Sequence, residues 1–157
     1  MSDINGYGPK KRPQSYILIG EGFDELEVVY FLHKFRMAGL SIKSISLFNK
    51  LVTSRQGVAL KTDYALAERP FDPAEDCVLI LPSRGRNSHA LRHDARIKTL
   101  LENLNRGKGW VVVTESGGNL ATDVNEIITS RPTYQPQTGE LFEDFVETLT
   151  NQIAFAY

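Results

Sequence analysis

The stretch Trp110-Val111-Val112-Val113-Thr114-Glu115-Ser116-Gly117-Gly118-Asn119-Leu120-Ala121 constrains the fold of this chain more than any other. A short apolar run rich in β-branched residues stops at a Glu-Ser-Gly-Gly turn, and a helical pattern follows. A buried parallel strand that breaks sharply into a helix reads this way. Such corners hold their central residues at the carboxyl edge of a sheet, where ligands and chemistry collect. The residue at this corner is a glutamate, where a nucleophile would be expected.

The rest of the chain repeats the same alternation. Tyr16 to Ile19 reads as a buried strand closed by Gly20-Glu21-Gly22. A helix follows with apolar positions at Leu26, Val29, Tyr30, Leu32, Phe35 and Met37, and Gly39 is its stop signal. Ser41 to Phe48 reads as a second strand, and Leu51 to Leu66 as a small β-excursion around Gly57. Cys77 to Leu81 is a further apolar strand, followed by Pro82 and the loop Ser83-Arg84-Gly85-Arg86. Asp94 is placed to cap a helix carrying Ile97, Leu100, Leu101 and Leu104 on one face. After the organising corner, Thr129 to Gly139 reads as a loop and Leu141 to Phe155 as an amphipathic helix. Strands alternating with helices predict a mostly parallel sheet with helices on both faces, an α/β three-layer sandwich.

A chain of 157 residues suits a single domain, here spanning 16–157. Met1 to Ser15, with its Lys10-Lys11-Arg12 cluster and no apolar periodicity, reads as a flexible tail. A net charge of −1 gives no reason to expect nucleic acid or an anionic membrane as partner. The lone Cys77 excludes an internal disulfide and a zinc site built from several cysteines. No apolar stretch approaches the roughly 20 residues that span a bilayer, and the start lacks a signal-peptide core, so a soluble cytoplasmic domain is expected. Gly20-Glu21-Gly22 lacks the third glycine of a dinucleotide fingerprint and sets acids where phosphate would sit. No cofactor is expected.

In order and spacing these pieces resemble the DJ-1/PfpI (ThiJ) superfamily, relatives of the class I glutamine amidotransferases, from about Tyr16 to Ala154. The likeness rests on the apolar strand leading to Gly22-Phe23-Asp24-Glu25-Leu26-Glu27 and on the helix ending Arg36-Met37-Ala38-Gly39-Leu40. It continues in the extended Ser54-Arg55-Gln56-Gly57-Val58, in Phe71-Asp72, and in the strand to Pro82 with its Arg84-Gly85 loop. It ends in the corner strand, where the family usually writes Cys, a small residue or His, and Gly. The resemblance implies a flavodoxin-like fold and a homodimer built on the first helix, to which Val28, Tyr30, Phe31 and Phe35 would contribute. It also implies that Glu27 is the glutamate that hydrogen-bonds the corner cysteine, and that Ser83, Arg84 and Gly85 form the loop facing an oxyanion. Glu115 falls on the cysteine itself, and no histidine follows it. Cysteine–histidine chemistry cannot be inherited, so the chain reads as a pseudoenzyme of the family.

Three readings follow. Glu27 and Glu115 could meet as a proton-sharing carboxylate pair in a pocket that binds a small molecule or a partner. Gly117 and Gly118, and the arginines Arg55, Arg84 and Arg131, would then line that pocket, although arginines facing water are an equally open alternative. The same pair could act as general acid and base on a small carbonyl, nitrile or amide compound. Ser116 is a competing nucleophile if the corner shifts by one residue, but it has no evident base. Otherwise the site is vestigial, in a structural or regulatory subunit. His89 and His93 have helical i, i+4 spacing but no third ligand, so no metal is expected. Cys77 reads as a buried small hydrophobe.

Overall fold

The computed structural model describes residues 12–156. Residues 1–11, and with them most of the expected tail and its lysine pair, lie outside the described residues. Strand β1 (Ser15–Ile19) leads to helix α1 (Glu25–Met37), then β2 (Ile42–Ser46), β3 (Leu51–Thr53), β4 (Ala59–Lys61) and β5 (Tyr64–Ala65). Then come β6 (Val78–Leu81), α2 (Asn87–Arg92), α3 (Ala95–Leu104), β7 (Trp110–Val113), α4 (Asn119–Ile127) and α5 (Phe142–Ala156).

Five strands form one parallel sheet in the order β5-β2-β1-β6-β7, while β3 and β4 make a separate antiparallel hairpin. The order is that of a doubly wound sheet. The chain starts in the middle, moves outward through β2 to β5, then crosses back to β6 and β7. The fold is therefore the expected flavodoxin-like sandwich. Alternation along the strands splits the core into two layers. Ile17, Ile19, Val78, Ile80 and Val112 face α1 and α5 with Phe31, Phe35, Phe145 and Leu149. Leu18, Ile45, Leu79, Leu81, Val111 and Val113 face α2, α3 and α4.

Local chemistry fixes the helix ends near the carboxyl edge. The Asp24 side chain accepts from the N–H groups of Leu26 and Glu27 and so caps α1. At its far end Gly39 takes φ 75°, and the Leu40 and Gly39 N–H groups return to the carbonyls of Phe35 and Arg36. Asp94 caps α3 through the Arg96 N–H, as the sequence predicts. Helix α2 is an addition to the sequence reading. Its buried Asn87 accepts from the Gly20 N–H at 2.6 Å and donates to the carbonyls of Leu18 and Pro82. That one side chain ties the ends of β1 and β6 together at the edge where the corner lies.

One dimer expectation is corrected here. Val28, Phe31 and Phe35 are fully buried in this single chain. The helical period turns them toward the sheet, and the apolar residues left outside on α1 are Leu26, Val29 and Met37.

Candidate functional site

The corner after β7 turns without strain at its glutamate. Positive φ is confined to glycine among the described residues, and in the corner it falls on Gly117 at 77°. Neither Glu115 nor Ser116 is lifted on the strained tip that a nucleophile elbow requires. Both side chains are exposed. The buried residue of the corner is Thr114, which sequence reasoning passed over because its neighbour carried the more reactive group. The backbone N–H of Ser83 donates to Thr114 Oγ1 at 2.7 Å.

Glu27 comes from the first turn of α1 and is fully buried. Its Oε1 accepts the Arg84 backbone N–H at 3.1 Å, and the Arg84 guanidinium lies 3.9 Å from Oε2. Burial pushes its pKa up to about 7, against the lowering effects of Thr114, the Arg84 N–H and the Arg84 charge. Thr114 lies near enough to lower the Glu27 pKa, while Oε2 has no hydrogen-bond partner among the described residues. Asp24, not Glu115, is the acidic charge that acts on Glu27. The expected carboxylate pair therefore does not form. The side chain that reaches toward Glu27 is Thr114, and Glu115, one position on, points out of the core.

The loop Ser83-Arg84-Gly85 is correspondingly occupied. Ser83 N–H serves Thr114 and Arg84 N–H serves Glu27. Gly85 sits at φ 62° in a bridge with Phe23, where a Cβ would come 2.6 Å from the Gly22 carbonyl oxygen. The backbone donors of Ser83 and Arg84 are thus satisfied by the protein's own side chains.

On the other side of the corner lies a polar groove of about 310 Å³, lined by Ser83, Ser88, His89, Arg92, Glu115 and the first turn of α4 from Gly118 to Ala121. Glu115 Oε2 lies 3.5 Å from where a Cβ on Gly118 would sit, so its carboxylate stands over the start of that helix. Arg92 reaches the groove while its Nε donates to Asp123 at 2.7 Å. His89 stacks on His93 with ring centroids 4.1 Å apart. Among the described residues no group of three or more His, Cys, Asp or Glu side chains is placed to hold a metal.

The three arginines expected at the site do not converge. Arg84 stacks over the Phe142 ring at 4.4 Å, beside Glu27. Arg55 pairs with Asp24 at 3.3 Å, near the start of α1. Arg131 stands at the opposite edge of the sheet, where its guanidinium donates to the carbonyls of Leu104, Gly107 and Gly109. Its five N–H groups suit closing three chain ends at once, so its role there is structural. Cys77 is buried, and burial pushes its thiol up to about 11, which keeps it protonated and unreactive.

Comparison with known proteins agrees with this geometry at the level of the fold. DJ-1beta of Drosophila melanogaster superposes with a TM-score of 0.71 at 16% identity, over 92% of this chain and 91% of that one. A cysteine-to-alanine variant of the DJ-1 superfamily protein STM1931 from Salmonella typhimurium gives 0.70 at 15% identity, over 90% of each chain. Schizosaccharomyces pombe DJ-1 gives 0.57 at 17% identity, over 71% of this chain and 63% of that one. No curated protein matches the sequence. The family model described as the DJ-1/PfpI family matches residues 14–142. With the doubly wound sheet and the strand-to-helix corner where the family carries its site, that match makes this chain a member of the DJ-1/PfpI family.

Proposed function

We propose that this chain binds a small polar molecule in the groove beside Glu115 and carries out no cysteine-dependent chemistry. The observation that carries this reading is the hydrogen bond from Ser83 N–H to Thr114 Oγ1. It engages a donor that an acyl-transfer site would hold open for a developing oxyanion. The corner carries Glu115 and no thiol, and the one cysteine is a buried core residue. The groove, by contrast, is open, polar and bordered by charges of both signs, which suits recognition of a small solute.

One observation favours an enzymatic reading. A carboxyl with a pKa of about 7 is suited to moving a proton near neutrality. The two readings separate in one set of measurements. Calorimetric titration with small polar metabolites should give binding that Glu115→Gln alters and Glu27→Gln leaves alone. Turnover of small carbonyl, nitrile or amide compounds that Glu27→Gln abolishes would overturn the binding reading in favour of acid–base catalysis. A groove indifferent to every probe and every variant would leave a structural role, with the corner vestigial.

The chain is also proposed to pair with a second copy. Leu26 and Val29 on α1, and Leu51 and Val58 on the hairpin, are exposed apolar side chains. The hairpin is bonded to the segment entering α1 by Gly22 N–H to Thr53 and Arg55 N–H to Phe23. Among the described residues no helix is long and apolar enough to cross a membrane.

A further inference from the structure

The geometry points to an oxyanion-binding site at the start of α4, in which Glu115 acts as a built-in competitor for the same positive end. This rests on the groove being a ligand site and names the chemical group that it takes, a phosphate or carboxylate on a small molecule. The corner is a strand, a glycine turn and a helix, and the helix has nine residues. Its N-cap is Gly118, which brings no side chain to accept from the first turn. The first bond of the helix is Thr122 N–H to the Gly118 carbonyl. The N–H groups of Asn119, Leu120 and Ala121 are therefore the orphan donors of the first turn, and all three residues line the groove. Uncapped donors together with the helix dipole favour an anion at this end.

A second feature points to a ligand independently of the helix. Ser83 lines the same groove at 5% exposure, and its hydroxyl has no hydrogen-bond partner among the described residues. A buried hydroxyl without a partner costs free energy, and an oxyanion oxygen is the acceptor it lacks. Arg92 adds donors, because its ion pair with Asp123 engages Nε and leaves the terminal nitrogens without a hydrogen bond among the described residues. His89 and Ser88 complete a wall of donors. Among the described residues that line the groove, the acidic one is Glu115, whose carboxylate stands over Gly118. It is exposed and makes no hydrogen bond among the described side chains, so it is free to swing aside when an anion arrives.

The test is an NMR titration of the full chain, following backbone amides, with inorganic phosphate and with acetate at constant ionic strength. Saturable shifts centred on Asn119, Leu120 and Ala121 are expected. Glu115→Gln should tighten the binding roughly two- to fivefold by removing the competing charge at the helix end. Ser83→Ala should weaken it. A stronger response to phosphate than to acetate marks a phosphate ester as the natural ligand, and the reverse marks a carboxylate. Shifts scattered over surface lysines, shifts that never saturate, or an affinity unchanged in Glu115→Gln would overturn the assignment. Neutral or cationic solutes that move these amides while phosphate and acetate do not would overturn the anion site alone. If no solute moves them, the groove reading fails as well.

Discussion

Thr114 Oγ1 accepts the backbone N–H of Ser83 at 2.7 Å, and this bond joins the end of β7 to the loop that follows β6. Both groups are buried, so the bond sits where leaving a donor unpaired is costly. Thr114→Val keeps the shape and removes the acceptor. It should cost about 1–3 kcal/mol of stability, read as a lower denaturation midpoint with an unchanged slope. Thr114→Ser should restore most of the loss. A Val variant as stable as the parent would mean that the bond holds nothing in place.

Glu27 should make stability fall as pH rises. Its folded pKa is about 7, above the ordinary 4.5, and burial is the main cause. Between these values the folded state holds a proton that the unfolded state has released. The stabilisation is therefore complete below pH 4.5, is lost as pH climbs toward 7, and is gone above it. The difference amounts to about 3 kcal/mol at neutral pH. Urea unfolding from pH 4.5 to 8 should show this decline in the parent chain and a flatter profile in Glu27→Gln. Parallel profiles for the two proteins would show that Glu27 does not titrate in this range.

The layered fold was legible because the central and edge strands β1, β6 and β7 carry short apolar runs, with Gly, Pro or a capping acid at the turns beside them. By contrast, β2 mixes Lys and Ser with its two isoleucines, and β5 has only two residues. Asp94 and Gly39 sit at the helix ends that their chemistry predicts. The site was only partly legible. Which of two neighbouring corner residues faces inward depends on where the turn bends, and here that is decided by Gly117 two positions after Glu115. Helix α2 was hidden because its six residues, Asn87 to Arg92, carry little apolar periodicity. What holds it is tertiary, namely the three bonds of the Asn87 side chain to Gly20, Leu18 and Pro82. Asn87→Asp keeps the size but cannot donate to the two carbonyls. It should cost about 3 kcal/mol or more, and amide exchange should quicken at the ends of β1 and β6.

Arg131 looked like a ligand contact in the sequence because a lone arginine in a loop carries no mark of its partners. Its partners are the carbonyls of Leu104, Gly107 and Gly109, which end α3 and start β7. Arg131→Met should lower stability by about 2–3 kcal/mol while leaving any groove affinity unchanged. Arg131→Lys should recover little, since one ammonium cannot reproduce the planar fork. A loss of ligand affinity at constant stability would return Arg131 to the site.

Pairing of two copies gives the last expectation. Of the four residues that the sequence offers to an interface, Val28, Phe31 and Phe35 are consumed by the core and Tyr30 is half-buried. Among the exposed apolar residues, those near the start of α1 and on the hairpin are Leu26 at 77%, Leu51 at 61%, and Val29 and Val58 at 48% each. A contiguous apolar patch on a monomer surface marks an interaction site, and the hairpin carrying two of these residues is hydrogen-bonded to the segment that enters α1. A two-fold axis would let a patch of this kind meet its own copy. Sedimentation of the parent chain at micromolar concentration should give the mass of a dimer, with a melting temperature that rises with concentration. Leu26→Arg with Leu51→Arg should give a folded monomer, because neither side chain supports the core. A monomeric parent chain throughout that range, or a double variant that remains dimeric, would place the contact elsewhere or remove it.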